Sequence, residues 1–340
     1  MAITIRDVAA AAGVSTATVS RALRGLPNVD EATRDRVKAI AAELDYVISP
    51  SASRLASGRT GSIAVITPYI SRWFFSEVIS GVESILQQAG LDMLLINVGD
   101  YQNGHARIPP TPRLKRRVDG ILIIALPPQD PDLEPILRLD MPKSMIGGVT
   151  GGIDCIAIDD FHAARSATEL LVENGHRRIG LLAGGPAEAR FVAETQRERG
   201  FRSVVTAHGL DEDPMLEAFG RFTIDGGERA MLALLNQPEP PTAVFAMSDE
   251  MAFGALQAIR SRGLEPGVDI SVIGIDNHPM SGYLSLSTVA QPVAQLGVIA
   301  AEHLLAQMFT TSDSPYSPGS VTVETTLIER GSTGPLRGRL

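Results

Sequence analysis

The residues best suited to chemistry lie near the amino terminus, on the outer face of a predicted helix that follows Ser15. The outward positions of this helix are Thr16, Ala17, Ser20, Arg21 and Arg24. Val19, Ala22 and Leu23 recur at helical spacing and should face a core. Small polar side chains with arginine suit the floor of a DNA major groove, where arginine can pair bidentately with guanine. The pattern therefore predicts contact with duplex DNA.

Three short helices must position that face. Thr4 and Asp7 have the spacing of a capping box at the first helix, and Gly13 can end that helix with a positive φ. Ser15 should cap the second helix and Asp30 the third. Helix-turn-helix geometry also occurs outside DNA binders, so a plain three-helix domain with solvated charges is the alternative.

The charge distribution favours a chain that contacts DNA at one end. The chain has 340 residues and a net charge of −9. Residues 1–60 carry eight basic and six acidic side chains, whereas the remainder carries 22 basic and 33 acidic ones. A weakly positive head on an acidic body fits a protein that contacts DNA only through its head. Because the head is only weakly positive, the affinity for DNA should depend on pairing two heads. The single cysteine, Cys155, excludes an internal disulfide. With no signal-peptide pattern or long apolar run, we expect a cytoplasmic protein.

The body after Ser62 alternates apolar strands with amphipathic helices. Strands are predicted at 62–67, 120–124 and 270–273, and helices at 161–174, 190–208 and 249–262, among others. Continuous apolar strands between helices indicate doubly wound parallel sheets, here two of them. Such sheets bind ligands at the carboxyl ends of their strands, so two facing sheets predict a cleft for a small molecule.

No pattern in the chain supports catalysis. The six histidines lack metal-ligand spacing, and neither a Gly-x-Ser-x-Gly elbow nor a phosphate loop is present. We therefore expect no enzyme, no cofactor and no metal.

Several segments resemble the lactose/galactose (LacI/GalR) repressor family. They are Ile5-Arg6-Asp7-Val8-Ala9, Ala12-Gly13-Val14-Ser15, Thr18-Val19-Ser20-Arg21-Ala22-Leu23 and Leu44-Asp45-Tyr46. The resemblance implies a small all-α helix-turn-helix head and an α/β periplasmic-binding-protein-like core of two doubly wound parallel-sheet subdomains. The implied ranges are a head at 1–48, a hinge at 49–60, a core at 61–333 and a disordered tail at 334–340. Within the core, the first subdomain would span about 61–160 and 292–318, and the second about 161–291 and 319–333.

The resemblance also implies DNA contacts. Thr16, Ala17 and Arg21 would read base edges. The remaining head contacts, mainly to phosphates, would come from Thr4, Ser15, Thr18, Ser20, Asn28, Thr33 and Tyr46. In the hinge, Leu55 would wedge into the minor groove and Ala52 would allow two hinge helices to pack closely. Ile48-Ser49 before Pro50 departs from the usual Pro-Asn, and a flexible linker is the alternative.

Ligand contacts in the cleft follow from the same resemblance. The implied residues are Phe74, Phe75, Arg197, Phe222, Ser248 and Asp276. Arg197 could instead form a surface ion pair, Asp276 could cap a strand end, and Phe222 could be ordinary core. Arg72-Trp73 replaces a common Asn-Pro, and Gly147 replaces an aspartate of the lactose repressor. The prolines at 109, 110 and 112 should break a helix that is regular in the family.

The implied function is a homodimeric repressor that binds a pseudo-palindromic operator under control of a small ligand. The chain's carboxyl terminus lacks leucine heptads, which favours a dimer over a tetramer. A sugar or sugar derivative is expected as ligand, with a purine or phosphorylated sugar also compatible. The alternatives are a ligand-dependent activator, a purine-type corepressor-responsive regulator, and a solute-binding protein that does not bind DNA.

Overall fold

A computed structural model describes residues 3–23, 25, 27–46, 59–99, 108–127, 130–148, 150–185, 191–210, 213–310 and 316–336. The chain divides into two compact units. One unit consists of residues 1–61 with 116–118, and the other of 62–115 with 119–340. The predicted hinge residues Ala52 and Leu55, and the Ile48-Ser49-Pro50 segment, lie outside the described residues.

The head is a bundle of three helices with the predicted caps. Its helices are α1 (Ile5–Ala12), α2 (Thr16–Leu23) and α3 (Glu31–Glu43). The backbone N–H of Thr4 donates to Asp7 Oδ2 at 2.8 Å, and Gly13 has a φ of +66°. The N–H of Thr18 donates to Ser15 Oγ at 3.1 Å. Val8, Val19, Ala22 and Val37 are fully buried between the helices. The core therefore fixes which face of α2 is presented to solvent.

The N-lobe of the body is built on a parallel sheet. Its strands are β1 (Ser62–Thr67), β2 (Asp92–Asn97), β3 (Gly120–Ile124), β4 (Lys143–Ile146), β5 (Asp154–Ile158) and β11 (Ser320–Val323). Its helices are α4 (Trp73–Gln88), α5 (Thr111–Lys115), α6 (Glu134–Leu137) and α12 (Val293–Met308). The strand order is β11-β5-β4-β3-β1-β2, with every pair parallel. All residues of β3 and β4 are buried, as expected for central strands covered on both faces.

The C-lobe of the body has the second sheet. Its strands are β6 (Ile179–Ala183), β7 (Glu217–Phe219), β8 (Ala243–Ala246), β9 (Ser271–Asp276), β10 (Ser287–Ala290) and β12 (Thr326–Ile328). Its helices are α7 (Asp160–Glu173), α8 (Val192–Ala207), α9 (Ile224–Leu235), α10 (Asp249–Ser261) and α11 (Met280–Tyr283). The order is β12-β10-β9-β8-β6-β7, and β12 alone runs antiparallel among the strands described.

The chain passes between the two lobes three times. It leaves the N-lobe after β5, returns to it at α12, which packs on α4 and on β3 to β5, and leaves again before β12. The expected end of this return near residue 318 is too early, because Ser320–Val323 pairs in parallel with β5. The final crossing therefore lies between Val323 and Thr326. A two-residue gap between short strands of different sheets gives no compositional signal of a boundary.

The carboxyl-terminal segment also differs from expectation. The sequence predicts a disordered tail from residue 334, yet Gly334 and Leu336 form hydrogen bonds with the C-lobe. The N–H of Gly334 donates to Ser271 Oγ at 3.1 Å, and the N–H of Leu336 donates to the Asn174 carbonyl at 2.8 Å. Backbone groups that find such partners hold the segment against the lobe, although its Gly-Pro composition resembles that of a loop.

The proline-rich segment contains a short helix. Ile108, Pro109 and Pro110 precede α5, and Pro112 is the second residue of that helix. A proline is tolerated in the first turn because the amide that it lacks would have no partner within the helix. Residues 100–107 lie outside the described residues. Within the described part of this segment, the helix begins at Thr111.

No helix in the described parts of the chain is long and apolar enough to cross a membrane.

Candidate functional site

The outer face of α2 presents the predicted base-reading residues. Thr16, Ala17 and Arg21 are exposed, while Val19 and Ala22 on the opposite face are fully buried. The small side chains at 16 and 17 leave room for a close approach of the helix to another surface. Arg21 stands one turn further along and can reach beyond them. The face therefore has the geometry expected of a helix that enters a major groove.

The predicted phosphate-contacting residues surround that face within the head. Thr4, Ser15 and Asn28 are exposed, and Thr18, Ser20, Thr33 and Tyr46 are partly buried. Several of these residues already serve as caps. The hydroxyls of Ser15 and Thr18 lie 2.9 Å apart at the start of α2, and the N–H of Thr33 donates to Asp30 Oδ1 at 2.8 Å. The caps thus order polar groups near the amino termini of α2 and α3, where the helix dipole favours anions.

A cleft lies between the N-lobe and the C-lobe at the carboxyl ends of their parallel strands. It encloses about 770 Å³, including its open mouth. The six predicted ligand residues all line it: Phe74, Phe75, Arg197, Phe222, Ser248 and Asp276. Gly147 also lines the cleft. It replaces an aspartate of the lactose repressor, so this position contributes no carboxylate to the lining. The position agrees with the general rule for open parallel sheets.

Arg197 is a buried cation in the wall of the cleft. Arg197 is only 6% exposed. Its Nε donates to Asp160 Oδ1 at 2.8 Å, and one terminal nitrogen donates to the Met247 carbonyl at 2.5 Å. Burial acts to lower the pKa of Arg197, but the charges of Asp160 and Asp276 outweigh it, and the pKa is raised. Arg197 does form an ion pair, but that pair is buried in the cleft wall and does not lie on the surface.

Asp276 ends strand β9 and faces the same cleft. Its φ is +131°, a conformation that side chains rarely adopt and that often marks functional positions. Gln291 Nε2 donates to Asp276 Oδ1 at 2.6 Å. Burial raises the pKa of Asp276 to about 8, although the charge of Arg197 acts to lower it. Burial therefore favours the protonated form of this carboxyl group.

Phe222 provides an aromatic surface in the C-lobe part of the cleft. It has a φ of +54°, and its ring centroid lies 6.3 Å from that of Phe191. A Cβ on Gly184 would lie 2.0 Å from the Phe222 ring. The ring can occupy this position because residue 184, which follows β6, has no side chain. Phe222 is only partly buried and lines the cleft, so it is not an ordinary core residue.

Ser248 has a structural role at the cleft. Its Oγ accepts from the N–H of Met251 at 3.4 Å and so caps α10. The next residue, Asp249, is fully buried and accepts from the N–H of His278 at 2.9 Å and from Ser281 Oγ at 2.6 Å. Asp249 thereby ties the loop after Asp276 to the start of α10.

Aromatic contacts join the two lobes at the rim. The rings of Trp73 on α4 and His278 in the loop after β9 are 4.6 Å apart between centroids. Phe253 on α10 packs edge-on against His278 at 5.2 Å. The guanidinium of Arg72 lies 3.6 Å from the centroid of the Tyr69 ring. The Arg72-Trp73 pair noted in the sequence therefore builds part of the rim.

Sequence reasoning missed four polar residues that line the cleft. They are Asp160, Glu194, Glu250 and Gln291. Asp160 and Glu250 lie just beyond the ends of β5 and β8, where ligands of parallel sheets bind, and this position could have indicated them. Glu194 and Gln291 lack such a signal, because their approach to the cleft depends on how α8 and the segment before α12 pack.

The comparisons with known proteins agree with this architecture. Residues 4–49 match the bacterial regulatory proteins of the lacI family, and residues 168–333 match a periplasmic binding protein-like domain. The HTH-type transcriptional repressor CytR of Escherichia coli (strain K12) is 36% identical over 342 residues, covering 98% of this chain and 97% of the relative.

Two solved structures are similar over nearly the whole chain. The lac repressor dimer bound to operator and the anti-inducer ONPF has a TM-score of 0.83 at 28% identity, covering 98% of this chain and 100% of that one. The complex of the transcriptional regulator CelR with cellobiose has a TM-score of 0.69 at 30% identity, covering 97% and 99%.

The chain belongs to the lacI family of bacterial regulatory proteins. It is a DNA-binding transcription regulator under ligand control and not an enzyme. The predicted fold class is confirmed: a helix-turn-helix head is followed by a periplasmic-binding-protein-like core with two parallel-dominated sheets.

Proposed function

We propose that two copies of this chain form a cytoplasmic repressor that grips a pseudo-palindromic operator with two heads. The observation that carries the proposal is that one chain combines an exposed reading face on α2 with a cleft lined by all six expected ligand residues. The similarity to an operator-bound dimer of the lac repressor supports the dimeric arrangement. Two-fold symmetry of the protein then requires a matching symmetry of the DNA site.

The roles proposed for the head separate sequence reading from positioning. Thr16, Ala17 and Arg21 contact base edges, with the methyl group of Ala17 suited to a thymine methyl. The other head contacts fix the register of the head, mainly through phosphates, without carrying sequence information: Thr4, Ser15, Thr18, Ser20, Asn28, Thr33 and Tyr46. In the hinge proposed at 49–60, Leu55 opens a base step in the minor groove and Ala52 permits close packing of two hinges.

The lining of the cleft supports the roles that we propose for its residues. Asp276 accepts hydrogen bonds from ligand hydroxyl or amino groups, and Arg197 orients the ligand from the cleft wall. Phe222 covers one ring face, while Phe74, Phe75 and Ser248 complete the enclosure. A sugar ring fits this combination because its faces are apolar and its edges carry hydroxyls. The cellobiose complex of CelR is a similar protein with a sugar bound.

Ligand control follows if the angle between the lobes depends on occupancy of the cleft. A change in this angle alters the spacing of two paired hinges and so the stability of the DNA complex. Ligand and operator must then change each other's affinity by the same factor.

The test is selection of DNA sequences from a random pool by the full-length protein, followed by binding measurements at fixed salt. We expect a consensus with two symmetric half-sites, and sedimentation should show two protomers on each site. Binding of one protomer without sequence preference would overturn the proposal.

A further inference from the structure

The charged groups of the cleft restrict the chemical class of its ligand. We propose that the cleft takes a ligand without negative charge that has several O–H or N–H donors beside an apolar ring face, and that it rejects the phosphate monoester of the same compound. This inference rests on the proposed function, because it assumes that the cleft is the effector site.

Acidic groups outnumber basic groups among the described residues that line the cleft. The acidic side chains are Asp160, Glu194, Glu250 and Asp276, and the basic ones are Arg72 and Arg197. Even with Asp276 protonated, the other three acidic side chains outnumber the two basic ones, so a doubly charged phosphate would meet a surplus of like charge in a partly enclosed site.

Each cation is already matched by a protein group. Arg197 donates to Asp160 and to the Met247 carbonyl, so a buried carboxylate already offsets its charge, and a phosphate that took the place of that carboxylate would break the pair. Arg72 packs over Tyr69, and its charge acts on Glu250 across the cleft. Breaking a buried ion pair leaves an uncompensated charge, which disfavours an anionic ligand.

Asp276 offers unused acceptor capacity to a ligand. Within the described structure its carboxylate accepts one side-chain hydrogen bond, from Gln291 through Oδ1. A carboxylate has about four acceptor positions on its two oxygens, so ligand O–H or N–H groups can bond there. Asp276 thus selects a ligand rich in donors.

Much of the remaining lining is apolar. Phe74, Ile146, Ile158, Phe222 and Leu296 contribute rings and branched side chains to it. An apolar ring face can bury surface against them. The combination favours a ligand that has an apolar ring face and carries no negative charge.

Proton release provides a second signature of such a ligand. The charged and titratable groups around Asp276 are Arg197 and Glu194 on α8, Asp249 and Glu250 on α10, Asp160 on α7, Arg72 before α4, and His278 in its own loop. Burial raises the pKa of Asp276 to about 8, and donors from a ligand favour the ionised form. Binding should therefore release a proton below pH 8 and tighten as the pH rises from 6 to 8.

The experiment compares matched pairs of compounds with the full-length protein in the absence of DNA. Adenosine, cytidine, guanosine, uridine, ribose and glucose are each measured against their monophosphate esters by thermal shift and calorimetry. We expect at least one uncharged compound to bind, its ester to bind at least tenfold more weakly, and its affinity to rise with pH. The inference is overturned by an ester that binds as well as its parent, by affinity that falls with pH, or by no binding of any uncharged probe.

Substitution of the carboxylate that matches Arg197 sharpens the comparison. Asp160→Asn should release the guanidinium and raise the affinity for the ester relative to the parent compound about tenfold. Glu83→Gln, at an exposed position on α4, is the matched control and should leave the ratio unchanged. Glu250→Gln provides a second variant with the same expectation if Asp160→Asn does not fold. An unchanged ratio in a folded variant contradicts the inference.

The two proposals fail in distinguishable ways. Selection of operator DNA needs no ligand, so its result does not depend on the ligand measurements. If the protein binds a symmetric site but prefers phosphate esters, the proposed function stands and this inference is wrong.

Discussion

Arg21 is the exposed residue of α2 with the longest reach and the best chemistry for reading a base. Arg21→Ala should relax the preference at one position of each half-site and weaken binding by about 1–3 kcal/mol, because a bidentate pair with guanine is lost. Competition binding with operators mutated at each position measures this effect. Arg138→Ala, at an exposed site of the body, removes the same charge and should change neither affinity nor preference. Unchanged base preference in Arg21→Ala would refute its assigned role.

Asp276 should control the ligand response without affecting DNA binding. Asp276→Ala removes the carboxylate that faces the cleft and should abolish ligand binding, while operator affinity in the absence of ligand stays within about twofold of the parent. A titration of operator binding with and without the identified ligand measures both quantities. If the variant still responds to the ligand, the cleft assignment is wrong.

At the scale of elements, helices α4 and α12 meet through glycines in the N-lobe. A Cβ on Gly81 would lie 2.0 Å from the Ala294 carbonyl oxygen, and one on Gly297 would lie 2.1 Å from the Val78 carbonyl oxygen. The two helices can approach this closely because neither glycine has a side chain. The contact joins the return segment of the chain to the first helix of the lobe.

Gly81→Ala should therefore destabilise the body. The added methyl group forces α4 and α12 apart, and overpacking of this kind typically costs about 1–3 kcal/mol. Chemical denaturation of the full-length protein measures the free energy of unfolding. Gly282→Ala in α11, where nothing lies within 4 Å of the added group, is the control and should unfold like the parent. Equal stability of both variants would show that the helices can separate at little cost.

At the scale of the whole body, Trp73 is positioned to report the relation between the lobes. It is the only tryptophan in the chain, and its ring contacts His278 of the other lobe. A ligand that changes the angle between the lobes should shift or quench Trp73 emission, since the ring then gains or loses its neighbour. Fluorescence titration measures the change, and His278→Ala should reduce it. Identical emission at zero and saturating ligand would contradict lobe movement at this rim.

The sequence alone determined the head and the general form of the body. Capping residues such as Thr4, Ser15 and Asp30 act locally, so their spacing predicts helix ends without tertiary information. Apolar runs such as 62–67 and 120–124 predict buried parallel strands, because strands covered on both faces are apolar along their whole length. The resemblance then identified Arg197, Asp276 and Phe222, which the structure places in one cleft.

Tertiary structure decided the features that depend on contacts between distant segments. The pairing of β11 with β5, the attachment of Gly334 and Leu336 to the C-lobe, and the pairing of Arg197 with Asp160 each join residues that no local pattern relates. The charge surplus of the cleft is of the same kind, because it arises from side chains on several helices that converge only when both lobes have folded. Local periodicity specifies which face of an element is buried, but long-range packing specifies what that face meets.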